Sequence, residues 1–232
     1  MKRVAIFIVF CLLQVTVFSL GGNAQSEKYK IVLDSISAKY MAMKECHIKI
    51  QSKISVSGHE VVSQAYDLYK RNDEFYVFNN GMEMLFTSSV VLMVIPDQKQ
   101  IVVRPVTDKE LKALKNMDVP QIDSAYKNKY EKQFSETDRY YLFTNYFDKG
   151  EIVRAIYSYN KSTFLMEKVE YFYKDMDDNK DQKSVITYVY ASLPPSKNYF
   201  NTDKYLTKTK TGYVAAAAYS NYIINVNDPY EK

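Results

Sequence analysis

The chain has 232 residues, with 31 Lys and Arg against 27 Asp and Glu and a formal net charge of +4. So small an excess excludes the basic footprint of a nucleic-acid-binding protein. Hydrophobic residues make up 47% and aromatics 15%, with 22 Tyr, 12 Phe, 6 Gly and no Trp. That excludes a disordered chain and favours strands, because Tyr and Phe fit pleated, half-buried surfaces.

Met1-Lys2-Arg3 is a positive start, and Val4 to Leu13 is an unbroken apolar run with Val15, Val17, Phe18 and Leu20 behind it. Gly22 and Ala24 then stand at the −3 and −1 positions that a signal peptidase reads. A membrane anchor is the alternative. However, Gln14 interrupts the run, which falls short of the roughly 20 residues a spanning helix needs. Residues 1–24 are therefore expected to be a cleaved signal peptide, cut between Ala24 and Gln25. Removing 24 of the 232 residues leaves 208, the size of one domain over residues 25–232. Lys2 and Arg3 leave with the signal, so the charge falls from +4 to +2. Cys11 leaves too, and with no Cys directly after Ala24 to be the first mature residue the chain is expected to be unlipidated. Its one thiol, Cys46, reads as a small buried hydrophobe.

Ser26 to Lys44 reads as a helix capped by Ser26. Tyr29, Val32, Leu33, Ile36, Tyr40 and Met43 share one face at spacings of three and four. That face is expected to dock on a sheet. From Glu45 the period becomes two. Cys46, Ile48, Ile50, Ile54 and Val56 point one way, and Glu45, His47, Lys49, Gln51 and Lys53 point to solvent. Glu60 to Lys70, Glu74 to Phe78, Met82 to Phe86, Val90 to Ile95 and Gln100 to Val103 follow as strands. Ser57-Gly58-His59, Arg71-Asn72-Asp73, Asn79-Asn80-Gly81 and Pro96-Asp97-Gln98 supply turns between them. This is the spacing of an antiparallel meander.

Thr107 to Met117 predicts a helix, and polar Asp118 to Tyr130 a possible second one. Strands resume at Tyr140 to Phe147, Ile152 to Tyr159 and Phe164 to Tyr173, with a turn at Asn160-Lys161-Ser162. An acid-rich loop, Lys174 to Lys183, precedes a strand from Ser184 to Ala191. Pro194-Pro195 then breaks the chain, and Gly212 to Val226 closes it as one or two strands.

The chain is poor in catalytic chemistry. His47 and His59 both read as exposed. Two His and one mature Cys do not make a zinc site. There is no H-E-x-x-H, G-x-S-x-G, P-loop or G-x-G-x-x-G. Asp175, Asp177, Asp178, Asn179 and Asp181 crowd oxygen ligands together, but the EF-hand Gly is missing and lysines intrude, so a solvated loop is expected. No cofactor and no metal are expected. What remains is apolar: Met82, Met84, Leu85, Phe86 and Val90 to Ile95. This stretch fits a packed core, and it equally fits a curved sheet around an apolar ligand.

Three segments carry a family resemblance. Asp67-Leu68-Tyr69-Lys70-Arg71 followed by Phe75-Tyr76-Val77-Phe78 resembles a motif of the periplasmic lipoprotein carriers of LolA/LolB-like fold. So does the hairpin from Leu92-Met93-Val94-Ile95-Pro96 to Gln100-Ile101. The tail, Phe200 to Tyr205 and Tyr219 to Val226, looks like that of uncharacterised Bacteroidetes-type relatives. The resemblance implies an α+β fold of mainly antiparallel strands, a strongly curved unclosed barrel with helices over its concave face. It also implies that Arg71 gates the cavity, although Asn72 stands where the carriers have Pro.

These readings converge on a non-enzymatic periplasmic binding protein for a lipid or an acylated protein, acting in lipoprotein or lipid trafficking. Its candidate lining is Tyr66, Leu68, Phe75, Val77, Met84 and Phe86 on the strands, with Leu33, Ile36 and Tyr40 on the covering helix. A filled-core module binding another envelope protein is the first rival, and an enzyme of unrecognised type the second. No transmembrane span is expected after cleavage.

Overall fold

The computed structural model describes residues 24–107, 130–175, 181–194, 198–210 and 212–226. The expected signal segment and the helical readings within 108–129 lie outside these residues, as do Asp177, Asp178 and Asn179.

One α-helix, α1 (Ala24–Ala42), leads into fourteen strands among the described residues. The first six are β1 (Glu45–Val56), β2 (His59–Arg71), β3 (Glu74–Asn79), β4 (Met82–Phe86), β5 (Val90–Ile95) and β6 (Gln100–Pro105). Next come β7 (Tyr130–Glu136), β8 (Tyr140–Phe147), β9 (Ile152–Asn160), β10 (Met166–Tyr173) and β11 (Lys183–Ala191). The last are β12 (Leu206–Thr209), β13 (Gly212–Ala215) and β14 (Ile223–Val226). The turns obey simple backbone chemistry. Ser57 and Gly58 have φ of 49° and 79°, and Asn80 and Gly81 have 46° and 83°. Two successive positive φ values give the turn whose twist matches an antiparallel hairpin.

Twelve strands form one sheet in the order β14-β6-β5-β4-β3-β2-β1-β11-β10-β9-β8-β7, and β12 pairs only with β13. β14 and β7 are its edges, so the sheet is unclosed. The fold is α+β and mainly antiparallel, with an unclosed sheet, as the sequence led one to expect.

The chain divides into two compact units. Among the described residues the first draws on 24–43, 51–64 and 130–189, and the second on 44–50, 65–107 and 190–226. In the first, α1 lies against β7, β8 and β10. Tyr29 meets Phe134 and Phe143 edge-on, with ring centroids 5.6 and 5.5 Å apart. One turn after another, Val32, Ile36 and Tyr40 are buried, each burial stabilising by roughly 1.5–3 kcal/mol. At the far end the Tyr40 hydroxyl accepts the Met166 N–H at 3.1 Å. In the second unit, Tyr76, Leu85, Leu92, Val94, Ile101 and Val103 pack with Phe200, Tyr205 and Leu206 in one buried cluster.

The structure corrects several expectations. His47 is buried at 8% exposure, not solvent-facing. β1 lies between β2 and β11, and Cys46, His47 and Ile48 are buried in succession, although Lys49 and Gln51 on the His47 face are exposed. The His47 ring stacks on Tyr69 at 4.2 Å, and its Nε2 lies 2.5 Å from Asp67 Oδ1. Two strands went unread, β7 and β12, because polar residues occupy most of their positions. β14 runs parallel to β6, which a meander does not predict. α1 spans Ala24–Ala42, so the helix includes Ser26 and ends before Lys44.

Candidate binding face

Strand alternation sorts β2–β6 into two faces, and the registers align the residues in rows. Leu68, Val77, Met84, Met93 and Val102 stand opposite one another across five strands. Lys70, Phe75, Phe86, Val91 and Arg104 form the next row on the same face. Tyr66, two residues before Leu68, belongs to it as well. All six strand residues singled out from the sequence therefore share one face. Tyr66, Leu68 and Phe75 are buried, whereas Val77, Met84 and Phe86 keep partial access to solvent, as does Met93. Lys70, at 7% exposure, places a cation beside Phe75 at one end of its row, and Arg104 ends the same row. Of the three helix residues, Ile36 and Tyr40 are buried and Leu33 is half-buried, and all three belong to the first unit.

The opposite face of β2–β6 is closed. Tyr69, Tyr76, Leu85, Leu92 and Val103 align there and pack against residues 199–224. Tyr199 stacks on Tyr69 at 3.9 Å, which extends the His47 stack. Arg71 is also on this face. Its Nη2 donates to Glu74 Oε2 at 2.9 Å, and its guanidinium lies 4.4 Å from the centre of the Phe200 ring.

Glu83 is the polar centre of the closed face, and no motif or spacing marked it. Its Oε2 accepts from Tyr76 Oη at 2.7 Å, from Lys204 Nζ at 2.8 Å and from Tyr205 Oη. Tyr219 Oη donates to Oε1 at 3.4 Å. Burial pushes the Glu83 carboxyl up, but the donations from Lys204, Tyr205 and Tyr76 outweigh it and hold the group below the usual carboxylate range. Burial and the same carboxylate push the Tyr76 and Tyr205 hydroxyls well up, and Tyr219 to about 12. Every polar group of this cluster has a partner within it. Its chemistry is therefore attachment, binding residues 204–219 to β4.

In the first unit, α1 covers the face that carries Tyr141, Phe143 and Asn145 of β8, and Ala155, Tyr157 and Tyr159 of β9. Asn145 is 2% exposed, and among the described residues its Nδ2 has no hydrogen-bond partner. The alternation Tyr141, Phe143, Asn145 was legible in the sequence, but a polar residue in a strand reads by default as solvent-facing. Among the described residues, no group of three or more His, Cys, Asp or Glu is placed to hold a metal, and no helix is long and apolar enough to cross a membrane.

No protein-family profile and no curated protein matches the chain. Among solved structures it is similar to a LolA superfamily protein from Nitrosomonas europaea, at 12% identity over 75% of this chain and 97% of that one, with a TM-score of 0.35. It is also similar to an uncharacterised conserved protein from Thermus thermophilus, at 9% identity over 87% and 99% of the two chains, with a TM-score of 0.44. A third likeness is to the MucA/MucB complex of Pseudomonas aeruginosa, at 10% identity over 73% of this chain and 60% of that one, with a TM-score of 0.40.

Proposed function

We propose that this chain is an exported, non-enzymatic binding protein of the periplasm that holds a lipid, or the acyl chain of a lipidated protein, against an apolar sheet face. The supporting observation is the asymmetry of β2–β5. One apolar face is closed by residues 199–224, while the other carries two aligned apolar rows with Val77, Met84, Phe86 and Met93 still partly accessible. Apolar surface of that kind gains by covering methylene groups, at about 0.8 kcal/mol each. A dozen methylenes give roughly 10 kcal/mol before the cost of immobilising the ligand is subtracted.

The test is to export the chain with its own leader into a bacterial periplasm and record native and denaturing mass spectra. Extra mass that leaves on denaturation and extracts as lipid supports the proposal and identifies the cargo class. A clean protein mass, with no uptake of added monoacylglycerol or lipopeptide, rejects it in favour of a module that binds another envelope protein.

A further inference from the structure

The first unit carries an open groove of about 760 Å³ where β10 ends and β11 begins, with Ser55, Phe172, Lys174, Gln182 and Lys183 in its lining. Its charge comes from one row of the sheet. Phe172 of β10 stands opposite Arg154 of β9 and Lys183 of β11. Ala155 and Tyr171 pair on the face that α1 covers, so this row, one residue away, is on the other face. The Arg154 guanidinium lies 3.9 Å from the centre of the Phe172 ring, and Lys183 Nζ lies 5.1 Å from it. β9 and β11 flank β10, so the two cations approach one ring from opposite sides. All three residues are half-buried. Like charges held this close repel, and partial loss of water strengthens the repulsion. One carboxylate stands by: Glu170 pairs with Lys183 at 2.5 Å, but it also pairs with Lys168 at 2.8 Å. No carboxylate among the described residues pairs with Arg154, whose contact is the ring. Three cations thus share one carboxylate, an excess of two positive charges. Asp175 and Asp181 lie beyond the row in the exposed loop, where Asp175 Oδ1 accepts the Asp181 N–H at 3.0 Å. Lys174 adjoins them, and water screens these exposed charges more than it screens the half-buried row.

We propose that this groove binds a phosphomonoester, with the Arg154 guanidinium donating to two of its oxygens and Lys183 to a third. The excess of two positive charges matches a phosphate dianion. A guanidinium stacked on a ring keeps its N–H edge free and fixed in direction, which suits a two-pronged contact with an oxyanion. A tetrahedral phosphate still has an oxygen for the ammonium group, whereas a carboxylate has none left once the fork has taken both. The edge of the Phe172 ring, which carries the positive end of its quadrupole, adds to the attraction between the two cations. The site lies wholly in the first unit and is independent of the lipid-binding reading.

The test titrates the purified, exported protein with glycerol 3-phosphate and with glycerate by calorimetry at low ionic strength. The phosphate is expected to bind, and the carboxylate to bind at least about tenfold more weakly. Arg154→Gln is expected to weaken phosphate binding by at least about tenfold. Should that chain misfold, Arg154→Met keeps an apolar stem on the Phe172 ring and is expected to show the same loss. Arg139→Gln removes an exposed cation elsewhere in the first unit, one that pairs with Glu167, and is expected to leave binding unchanged. A second arm adds phosphatidylcholine vesicles containing phosphatidic acid. Binding of glycerol 3-phosphate supports a soluble ester as the ligand. Binding of the vesicles alone, lost in the Arg154 variant, supports the same phosphate chemistry on a lipid headgroup. Binding of neither overturns the proposal, as does unchanged affinity in a folded Arg154 variant. An equal loss in Arg139→Gln also overturns it, because the attraction is then general charge and not a site.

Discussion

The Tyr40 hydroxyl accepts the Met166 backbone N–H at 3.1 Å, across 126 residues of sequence. The pairing of β9 with β10 shifts register between Met166 and Lys168, so this N–H sits at a break in the ladder. The last turn of α1 supplies the acceptor that the neighbouring strand does not. Tyr40→Phe keeps the ring and removes the oxygen. The expected cost is about 1–2 kcal/mol, the cost of leaving a buried N–H unpaired. Urea denaturation checks this, and faster hydrogen exchange at the Met166 amide should accompany the loss. An unchanged stability would mean that the helix is held by its apolar stripe alone.

Met84 and Leu85 are adjacent in β4 and face opposite ways, Leu85 at 0% exposure inside the closed cluster and Met84 partly accessible. Leu85→Ala is expected to cost about 3–4 kcal/mol, as core truncations do. Met84→Asp is expected to leave a folded protein, judged by near-ultraviolet circular dichroism, but to abolish lipid uptake in the mass-spectrometric assay. A Met84→Asp chain that unfolds would place Met84 in ordinary core and weaken the proposed binding face.

The Glu83 cluster predicts a pH dependence. The folded carboxyl lies below its ordinary value of 4.5, so its contribution to stability is present above that value. The contribution is lost as pH falls through the lower folded value. Glu83→Gln is expected to cost about 2–3 kcal/mol at pH 7, because Lys204 and three tyrosines lose a charged acceptor. The gap between wild type and variant should narrow steadily below pH 4.5. Parallel urea titrations at pH 7 and pH 3 test this, and a gap that stays constant contradicts the assignment.

Gly81 tests backbone geometry in isolation. Its φ is 83°, and a Cβ placed there meets only Pro96 Cγ, at 3.9 Å. Gly81→Ala therefore has room but the wrong conformation, and the expected cost is about 1–2 kcal/mol. Gly58→Ala, with φ of 79° and open space, should cost a similar amount. A much larger loss at Gly81 would point to crowding that the geometry does not show.

What the sequence determined was carried by local rules. Spacings of three and four put Val32, Ile36 and Tyr40 on one side of α1, and alternation put Tyr66, Leu68, Phe75, Val77, Met84 and Phe86 on one face. Asn80-Gly81 marked its hairpin because the backbone needs two positive φ values there. Tertiary structure decided what each face meets. His47 alternates like a surface residue but is buried, because the Tyr69 ring stacks on it from the neighbouring strand. Leu85 and Met84 read alike, but only the return of residues 199–224 closed one face and left the other accessible. Glu83 and Asn145 looked like ordinary polar residues in strands. Lys204, Tyr205 and Tyr219 reach Glu83 from more than 120 residues away, while among the described residues none pairs with the Asn145 Nδ2. Periodicity records which way a side chain points, and long-range packing alone determines whether water, protein or a ligand waits on that side.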